Sequence, residues 1–194
     1  MNKDIVDILF TEEMIRQRVE EMGKEIAAAY QDSVPVVIGV LKGCSIFLAD
    51  LVRHIEIPLE MDFMASTSYG GMHQHSGAVR ITKDLDTIIE GRDVLLVEGI
   101  TDTGMTAGYL LRNLEARGPR SIRVCTFLDK RARRIVNIPI SFAGFQAPDR
   151  FAVGYGLDFR QVYRNLPYIG VLSDEATGLN RKREAPISPD SEKN

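Results

Sequence analysis

The residues best suited to chemistry form a short loop at 102–106, with the sequence Asp-Thr-Gly-Met-Thr. The loop follows an apolar run at 94–97 and precedes residues 106–117, where apolar side chains recur with the spacing of an amphipathic helix. The first N–H groups of a helix have no partner within it, so they can bind an anion. The two threonine hydroxyls add donors, and the glycine lets the backbone approach an anion closely. The pattern predicts a phosphate-binding site.

Two carboxylates, Glu98 and Asp102, lie next to this predicted site and would repel a phosphate. We therefore expect them to serve sugar hydroxyls, a metal ion or a proton. An alternative is an ordinary strand-to-helix turn, in which Asp102 or a threonine only caps the helix. The chain contains neither the Gly-x-x-x-x-Gly-Lys-Ser/Thr loop of P-loop proteins nor the three spaced glycines of dinucleotide-binding folds.

Strand and helix patterns alternate along the chain, which is typical of an α/β fold with a mainly parallel, twisted sheet flanked by helices. A first helix is predicted to begin after Thr11, a residue type that caps helices. The predicted strands are 36–41, 61–66, 78–82, 94–97, 122–128, 140–142, 151–153 and 168–172. Leu41, Glu98 and Lys130 directly follow β-runs, so we expect them at the sheet edge where ligands bind in open α/β folds.

A chain of 194 residues is expected to form a single domain, here over residues 1–176. The N-terminal segment with its helix, together with residues from about 138 to 176, is predicted to form a small hood over the carboxyl ends of the sheet. Residues 177–194 combine charged residues and prolines with few apolar side chains, and they are predicted to be a disordered tail.

The composition is that of a globular protein, with 44% hydrophobic and 26% charged residues and a formal net charge of −3. This acidic balance argues against nucleic acid as a partner, and the basic run from Lys130 to Arg134 is interpreted as a solvated face. No apolar stretch of about 18 residues is present, so no membrane span is expected. Cys44 and Cys125 lie in predicted core elements, which favours a cytoplasmic location over a disulfide framework.

The strand, Glu98, the loop at 102–106 and the following helix together resemble the phosphoribosyl-diphosphate motif of type I phosphoribosyltransferases. Flanking segments are similar to the 6-oxopurine branch of that family, and they occur in the right order from about Leu41 to Ser173. These segments are Leu41-Lys42-Gly43, Ser68-Tyr69-Gly70, Lys130-Arg131 and Phe151-Ala-Val-Gly-Tyr-Gly-Leu-Asp158 with Arg164. The resemblance implies an enzyme that uses Mg²⁺ to transfer phosphoribosyl from 5-phosphoribosyl 1-diphosphate to hypoxanthine or guanine.

The resemblance also implies a role for each matching residue. Asp102 would be the general base, and Glu98 and Asp158 would hold Mg²⁺. The expected substrate contacts are Lys42, Gly43 and Arg164 for pyrophosphate, Thr103, Gly104, Met105 and Thr106 for the 5′-phosphate, Glu98 for the ribose, Ile100, Lys130, Phe151 and Ala152 for the base, and Ser68 and Tyr69 as a covering loop. Lys130 would donate to the purine 6-oxo group. In this family the peptide before Lys42 is often cis, and the proteins are dimers or tetramers.

One position departs from the family pattern. The family usually has adjacent Glu and Asp after the β-run, whereas this chain has Glu98-Gly99. A charge-assisted hydrogen bond is worth roughly 1.5–3 kcal/mol, so its loss would weaken ribose binding about tenfold to a hundredfold.

The sequence leaves three functional hypotheses. The first is a purine salvage transferase that forms a purine nucleoside monophosphate. The second is a weakened or non-catalytic nucleotide-binding regulator of the same fold, and the third is a phosphotransferase that reuses a similar loop.

Overall fold

The computed structural model describes residues 3–68 and 79–178. The strands are β1 (Ile5–Phe10), β2 (Val36–Leu41), β3 (Glu60–Ser68), β4 (Val79–Lys83), β5 (Asp93–Thr101), β6 (Ser121–Asp129), β7 (Ile140–Gln146), β8 (Ala152–Val153) and β9 (Ile169–Leu172). The helices are α1 (Glu12–Ala29), α2 (Ser45–Val52), α3 (Met105–Glu115) and α4 (Asp174–Thr177), with a 3₁₀ turn at Arg131–Arg133. None of these helices is long and apolar enough to cross a membrane.

A six-stranded sheet in the order β4-β3-β2-β5-β6-β7 forms the centre of the molecule. Its neighbouring strands are parallel except for the antiparallel pair of β3 and β4. The prediction of a mainly parallel α/β sheet is confirmed. The chain leaves β2 toward β3 on one side and later returns to place β5 on the other side of β2. Such a reversal of strand order opens a crevice at the carboxyl ends of the two strands.

Helices cover both faces of this sheet. Successive residues of β5 alternate between the two sides, so Leu95 packs with α1 and α2 while Leu96 packs with α3. Thr11 caps α1 as predicted, because its hydroxyl accepts a hydrogen bond from the N–H of Met14 at 3.3 Å. The side chains of Ile15, Val19, Met22 and Ile26 form a buried stripe along α1, as their helical spacing predicts. The central strands are therefore held rigidly, and the loops at their carboxyl ends carry the polar groups.

A second, three-stranded antiparallel sheet in the order β1-β9-β8 forms the hood. Strand β1 was not predicted. Two parts of the predicted hood belong elsewhere: β7 is the edge strand of the large sheet, and α1 packs against α2 and β7. The physical reason is burial, since Phe142 of β7 joins the same apolar cluster as the stripe of α1.

The single-domain division stays a prediction. Of the predicted tail, residue 177 closes the short helix α4 and Gly178 follows it. The prediction of disorder from residue 179 onward lies outside the described residues.

Candidate active site

Two adjoining clefts lie at the carboxyl ends of β2, β5 and β6. The first cleft has a volume of about 260 Å³, and the candidate residues that line it are Gly43, Glu98, Ile100, Asp102, Thr103, Gly104 and Thr106. The second cleft has a volume of about 320 Å³, and its candidate residues are Lys42, Gly43, Ile100, Asp102, Lys130, Phe151, Ala152, Asp158 and Arg164. Gly43, Ile100 and Asp102 line both clefts. The structure thus brings most of the candidate residues together, with Asp102 where the clefts meet.

The N-terminus of α3 faces the first cleft, and the hydroxyl of Thr103 contacts its first N–H group. The helix begins at Met105, and its N-cap is Gly104 with φ of +81° and no side-chain cap. The hydroxyl of Thr103 accepts a hydrogen bond from the N–H of Met105 at 3.4 Å, so the capping alternative holds for this threonine. It does not hold for Asp102, whose side chain accepts its hydrogen bond from Arg133. The remaining N–H groups of the first turn stay available to an anion.

Gly104 is required for a further reason, in addition to the one that the sequence suggests. A Cβ atom at this position would lie 2.4 Å from the carbonyl oxygen of Val136. Its left-handed φ also favours glycine. The conformation and the neighbouring backbone of the protein exclude a side chain here even before an anion binds.

Asp102 presents one carboxylate oxygen without a partner. Its Oδ2 atom accepts a hydrogen bond from Nη1 of Arg133 at 3.3 Å. Its Oδ1 atom is buried and has no hydrogen-bond partner among the described residues. A carboxylate that is oriented by one arginine and free at its second oxygen is suited to accept a proton.

Glu98 lies within β5 rather than at its end, because the strand continues to Thr101. Its side chain is 8% exposed, and its Oε1 atom has no partner among the described residues. Burial raises the pKa of Glu98 from 4.5 to about 8. The carboxyl group therefore favours the protonated form near neutral pH until a cation or a donor reaches it.

Lys130 directly follows β6 and is buried. Its ammonium group donates a hydrogen bond to the carbonyl oxygen of Arg150 at 2.7 Å, and it has two further donors. Burial lowers the pKa of Lys130, and the nearby carboxylate of Asp102 opposes that shift. The remaining donors can serve a ligand carbonyl in the second cleft.

Phe151 is 39% exposed, so it is not a core residue. Its ring meets Phe159 edge to face, with 5.2 Å between the ring centroids. Ala152 is buried in β8 and pairs with Val171, so its backbone is fixed next to the phenyl ring. An exposed ring beside a fixed backbone edge can bind a flat heterocycle.

Asp158 and Arg164 are ion-paired with each other, 2.7 Å apart. The other oxygen of Asp158 accepts a hydrogen bond from the N–H of Gln161 at 2.8 Å, and Arg164 donates to the carbonyl of Gly156 at 2.7 Å. The sequence assigns these two residues separate partners, a metal ion and a pyrophosphate. Without those ligands they neutralise one another.

The loop that carries Lys42 packs closely against two glycines. A Cβ atom on Gly99 would lie 2.7 Å from the carbonyl oxygen of Gly43, and one on Gly156 would lie 2.4 Å from the same atom. Any side chain at position 99 therefore conflicts with the present position of this loop. The Leu41–Lys42 peptide is cis, and Lys42 itself is exposed.

Some candidate residues are not placed in the clefts. Ser68 is the last residue of β3, and nothing is described of its side chain. Tyr69 lies outside the described residues. Met105 opens α3, but it lines neither cleft.

Sequence reasoning missed Ser66 in the first cleft and Arg133 in the second. The position of Arg133, three residues after Lys130 in a loop at the carboxyl edge, was a signal for its role. This signal is lost when the whole basic run from Lys130 to Arg134 is interpreted as a solvated face.

A family model described as a phosphoribosyl transferase domain matches residues 6–160. The chain belongs to the phosphoribosyltransferase family. This phosphoribosyltransferase is 51% identical over 172 residues to the hypoxanthine-guanine phosphoribosyltransferase of Bacillus subtilis, covering 89% of this chain and 96% of that protein. It is 45% identical over 177 residues to the hypoxanthine phosphoribosyltransferase of Escherichia coli, covering 89% and 99%.

The fold of this phosphoribosyltransferase also matches a solved structure. The crystal structure of a hypoxanthine phosphoribosyltransferase from Staphylococcus aureus superposes with a TM-score of 0.87 at 42% identity, covering 91% of this chain and 96% of the other. The resemblance inferred from the motifs is confirmed, and the chain is a transferase.

Proposed function

We propose that this phosphoribosyltransferase acts in purine salvage. It joins hypoxanthine or guanine to the phosphoribosyl group of 5-phosphoribosyl 1-diphosphate, forms IMP or GMP, and releases pyrophosphate. The observation that carries the proposal is the unpartnered oxygen of Asp102 at the junction of the two clefts, between the N-terminal end of α3 and the ammonium of Lys130. The purine specificity of the curated relatives supports the choice of base.

The first cleft takes the sugar phosphate. The N–H groups of residues 103–106, where the loop enters α3, and the hydroxyls of Thr103 and Thr106 hold the 5′-phosphate. Glu98 accepts from a ribose hydroxyl, which satisfies its unpartnered oxygen. This placement puts the sugar next to Asp102.

The second cleft takes the base. Lys130 donates to the 6-oxo group, whereas the 6-amino group of adenine would present a donor to a donor. Phe151 stacks on one face of the purine, Ile100 closes the other, and the main chain at Ala152 contacts the base edge. As N9 of the purine attacks ribose C1, the bond from C1 to the pyrophosphate oxygen breaks and Asp102 takes the proton from N7.

The leaving pyrophosphate binds between Lys42 and Arg164, with the backbone of Gly43 close to it. The carboxylates of Glu98 and Asp158 line different clefts, and the described residues contain no group of three or more metal-ligating side chains. Each carboxylate can contribute to a Mg²⁺ that takes its other ligands from substrate and water, which is how Mg²⁺ usually binds. Mg²⁺ would supply positive charge against the phosphate oxygens.

Binding of these ligands exchanges the partners of the Asp158–Arg164 ion pair. The guanidinium of Arg164 turns from the carboxylate to pyrophosphate, and Asp158 would then be free to hold Mg²⁺, which would supply the positive charge that Arg164 gives up. The exchange keeps both charges paired throughout.

We also propose that the enzyme is cytoplasmic and that it forms a homodimer or a homotetramer. Both cysteines are buried free thiols, which supports a reducing compartment. The oligomeric state rests on the family resemblance, and light scattering of the purified protein measures it.

Turnover tests the proposed function. Purified protein is mixed with 5-phosphoribosyl 1-diphosphate, Mg²⁺ and one base at a time, and product is followed by absorbance with and without a chelator. We expect IMP from hypoxanthine and GMP from guanine, no comparable product from adenine, and loss of both reactions on chelation.

Gly99 supports the second candidate, a nucleotide-binding regulator, because the position offers no carboxylate. Binding of IMP without any turnover would favour that regulator and contradict the enzyme. The phosphotransferase hypothesis receives no support from the family match.

A further inference from the structure

Arg134 is a largely buried member of the basic run that the sequence presents as a solvated face. Its side chain is 15% exposed, whereas that of Arg131 is 73% exposed. The solvated-face interpretation therefore holds for Arg131 and is wrong for Arg134. A buried guanidinium needs several acceptors, and their identity indicates what it does.

The guanidinium of Arg134 joins the ends of two neighbouring strands. It forms an ion pair with the buried carboxylate of Asp129, the last residue of β6. Its Nε donates to the carbonyl of Asp102 at 3.1 Å, and its Nη2 donates to the carbonyl of Thr101 at 3.2 Å. The planar fork of an arginine serves these three acceptors from two nitrogen atoms in one plane, a geometry that the single nitrogen of a lysine does not reproduce.

The two residues after Arg134 continue the same contact. The N–H groups of Ile135 and Val136 both donate to the carbonyl of Thr103 at 2.9 Å. Three consecutive carbonyls, at 101, 102 and 103, are thus turned toward the segment 134–136. In a trans peptide the N–H points opposite to the C=O, so the N–H groups of residues 102–104 point away from that segment. The same residues line the first cleft.

We propose that Arg134 is a positioning residue for anion binding. It touches no substrate. By holding the carbonyls of Thr101 and Asp102 against Asp129, it sets the direction of the N–H groups that bind phosphate and the direction in which the Asp102 side chain leaves the loop. The inference rests on the proposed function, since the anion is taken to be the 5′-phosphate of the nucleotide.

IMP and inosine differ only in the 5′-phosphate. Comparing their dissociation constants therefore separates phosphate recognition from the contacts to the sugar and the base. Calorimetry on the full chain gives both dissociation constants for the wild type, Arg134→Lys, Arg134→Gln and the matched control Arg131→Gln. Arg131 pairs with the other oxygen of Asp129 at 3.0 Å and makes no hydrogen bond to the carbonyls of Thr101 or Asp102. We expect both Arg134 variants to lose IMP affinity about tenfold or more while inosine affinity is kept, since two hydrogen bonds are removed. Arg131→Gln should bind both ligands like the wild type.

The ratio of the two dissociation constants distinguishes positioning from simple stabilisation. Partial unfolding lowers the active fraction and leaves the ratio unchanged, and thermal unfolding reports it separately. Arg134→Lys keeps the charge beside Asp129, so it gives the ratio even where Arg134→Gln does not fold. A wild-type ratio in the Arg134 variants, or an equal loss in Arg131→Gln, would overturn the positioning role alone. A wild type that binds inosine as tightly as IMP would contradict the phosphate site of the proposed function as well.

Discussion

Asp102 is the residue on which the proposed chemistry depends, because it combines a free carboxylate oxygen with an arginine that orients the other one. Replacing it by asparagine keeps the shape and removes the base. We expect kcat of Asp102→Asn to fall by about 10²–10⁴-fold, which is the range for loss of a general base. Steady-state kinetics with hypoxanthine measure it, and the IMP dissociation constant is the control that should change little. An unchanged kcat would mean that another group takes the proton.

Lys130 is the residue that should decide between 6-oxo and 6-amino purines. In Lys130→Met a charge-assisted hydrogen bond to the base is lost, worth roughly 1.5–3 kcal/mol, so kcat/KM for hypoxanthine should fall about tenfold to a hundredfold. The preference over adenine should shrink with it. Arg131→Met is the matched control, since its side chain is exposed and directly adjacent. If both variants preferred hypoxanthine over adenine equally, Lys130 would not be the residue that selects the base.

At the scale of single elements, the loop after β2 and the strand β5 must be considered together. Restoring the family carboxylate as Gly99→Asp places a Cβ atom 2.7 Å from the carbonyl of Gly43, so the loop that carries Lys42 must move. We expect a higher KM for 5-phosphoribosyl 1-diphosphate and a loss of roughly 1–3 kcal/mol in stability, as in other overpacked sites. Gly99→Ala introduces the same Cβ without the charge and serves as the control. If Gly99→Asp lowers this KM below that of wild type while Gly99→Ala raises it, the missing carboxylate matters more than the loop.

Local signals explain which elements the sequence predicts well. The apolar runs of β2, β5 and β6 and the Thr11 cap of α1 depend on neighbouring residues, and they appear where expected. By contrast, the formation of β1 and the position of β7 at the edge of the large sheet depend on pairing with segments that are distant in sequence. Ile5 of β1 pairs with Leu172, at the opposite end of the chain, and no local pattern encodes that partner.

At the scale of the whole molecule, burial of Glu98 makes stability depend on pH. The folded protein keeps the proton of Glu98 up to a pKa of about 8, whereas the unfolded chain releases it near 4.5. Between these values the folded state binds more protons, so stability falls as pH rises from about 5 to about 8, by a few kcal/mol. Asp93, whose pKa is lowered by Arg120, acts with the opposite sign but only at acidic pH.

Unfolding midpoints across this pH range test the role of Glu98. In the wild type the unfolding midpoint should fall as pH rises. This decrease should become smaller in Glu98→Gln and should persist in Glu90→Gln, because Glu90 is exposed. Parallel slopes in all three proteins would assign the pH dependence to another group.

The assembled site contains features that no single motif predicts. The motifs supplied Lys42, Asp102, Lys130 and Asp158, because each follows a strand or sits in a recognisable segment. The clamp of Arg134 on the loop after β5 arises only when separate segments meet in space, and the ion pair of Asp158 with Arg164 depends on the conformation of the loop that contains both residues. Charge alone made Arg134 look like a surface residue.

A crystal structure with bound IMP tests the central claim most directly. We expect the 5′-phosphate within hydrogen-bond distance of the N–H groups of residues 103–106, with the base against Phe151 and Lys130. A well-ordered IMP whose phosphate lies elsewhere, with the start of α3 empty, would contradict the account.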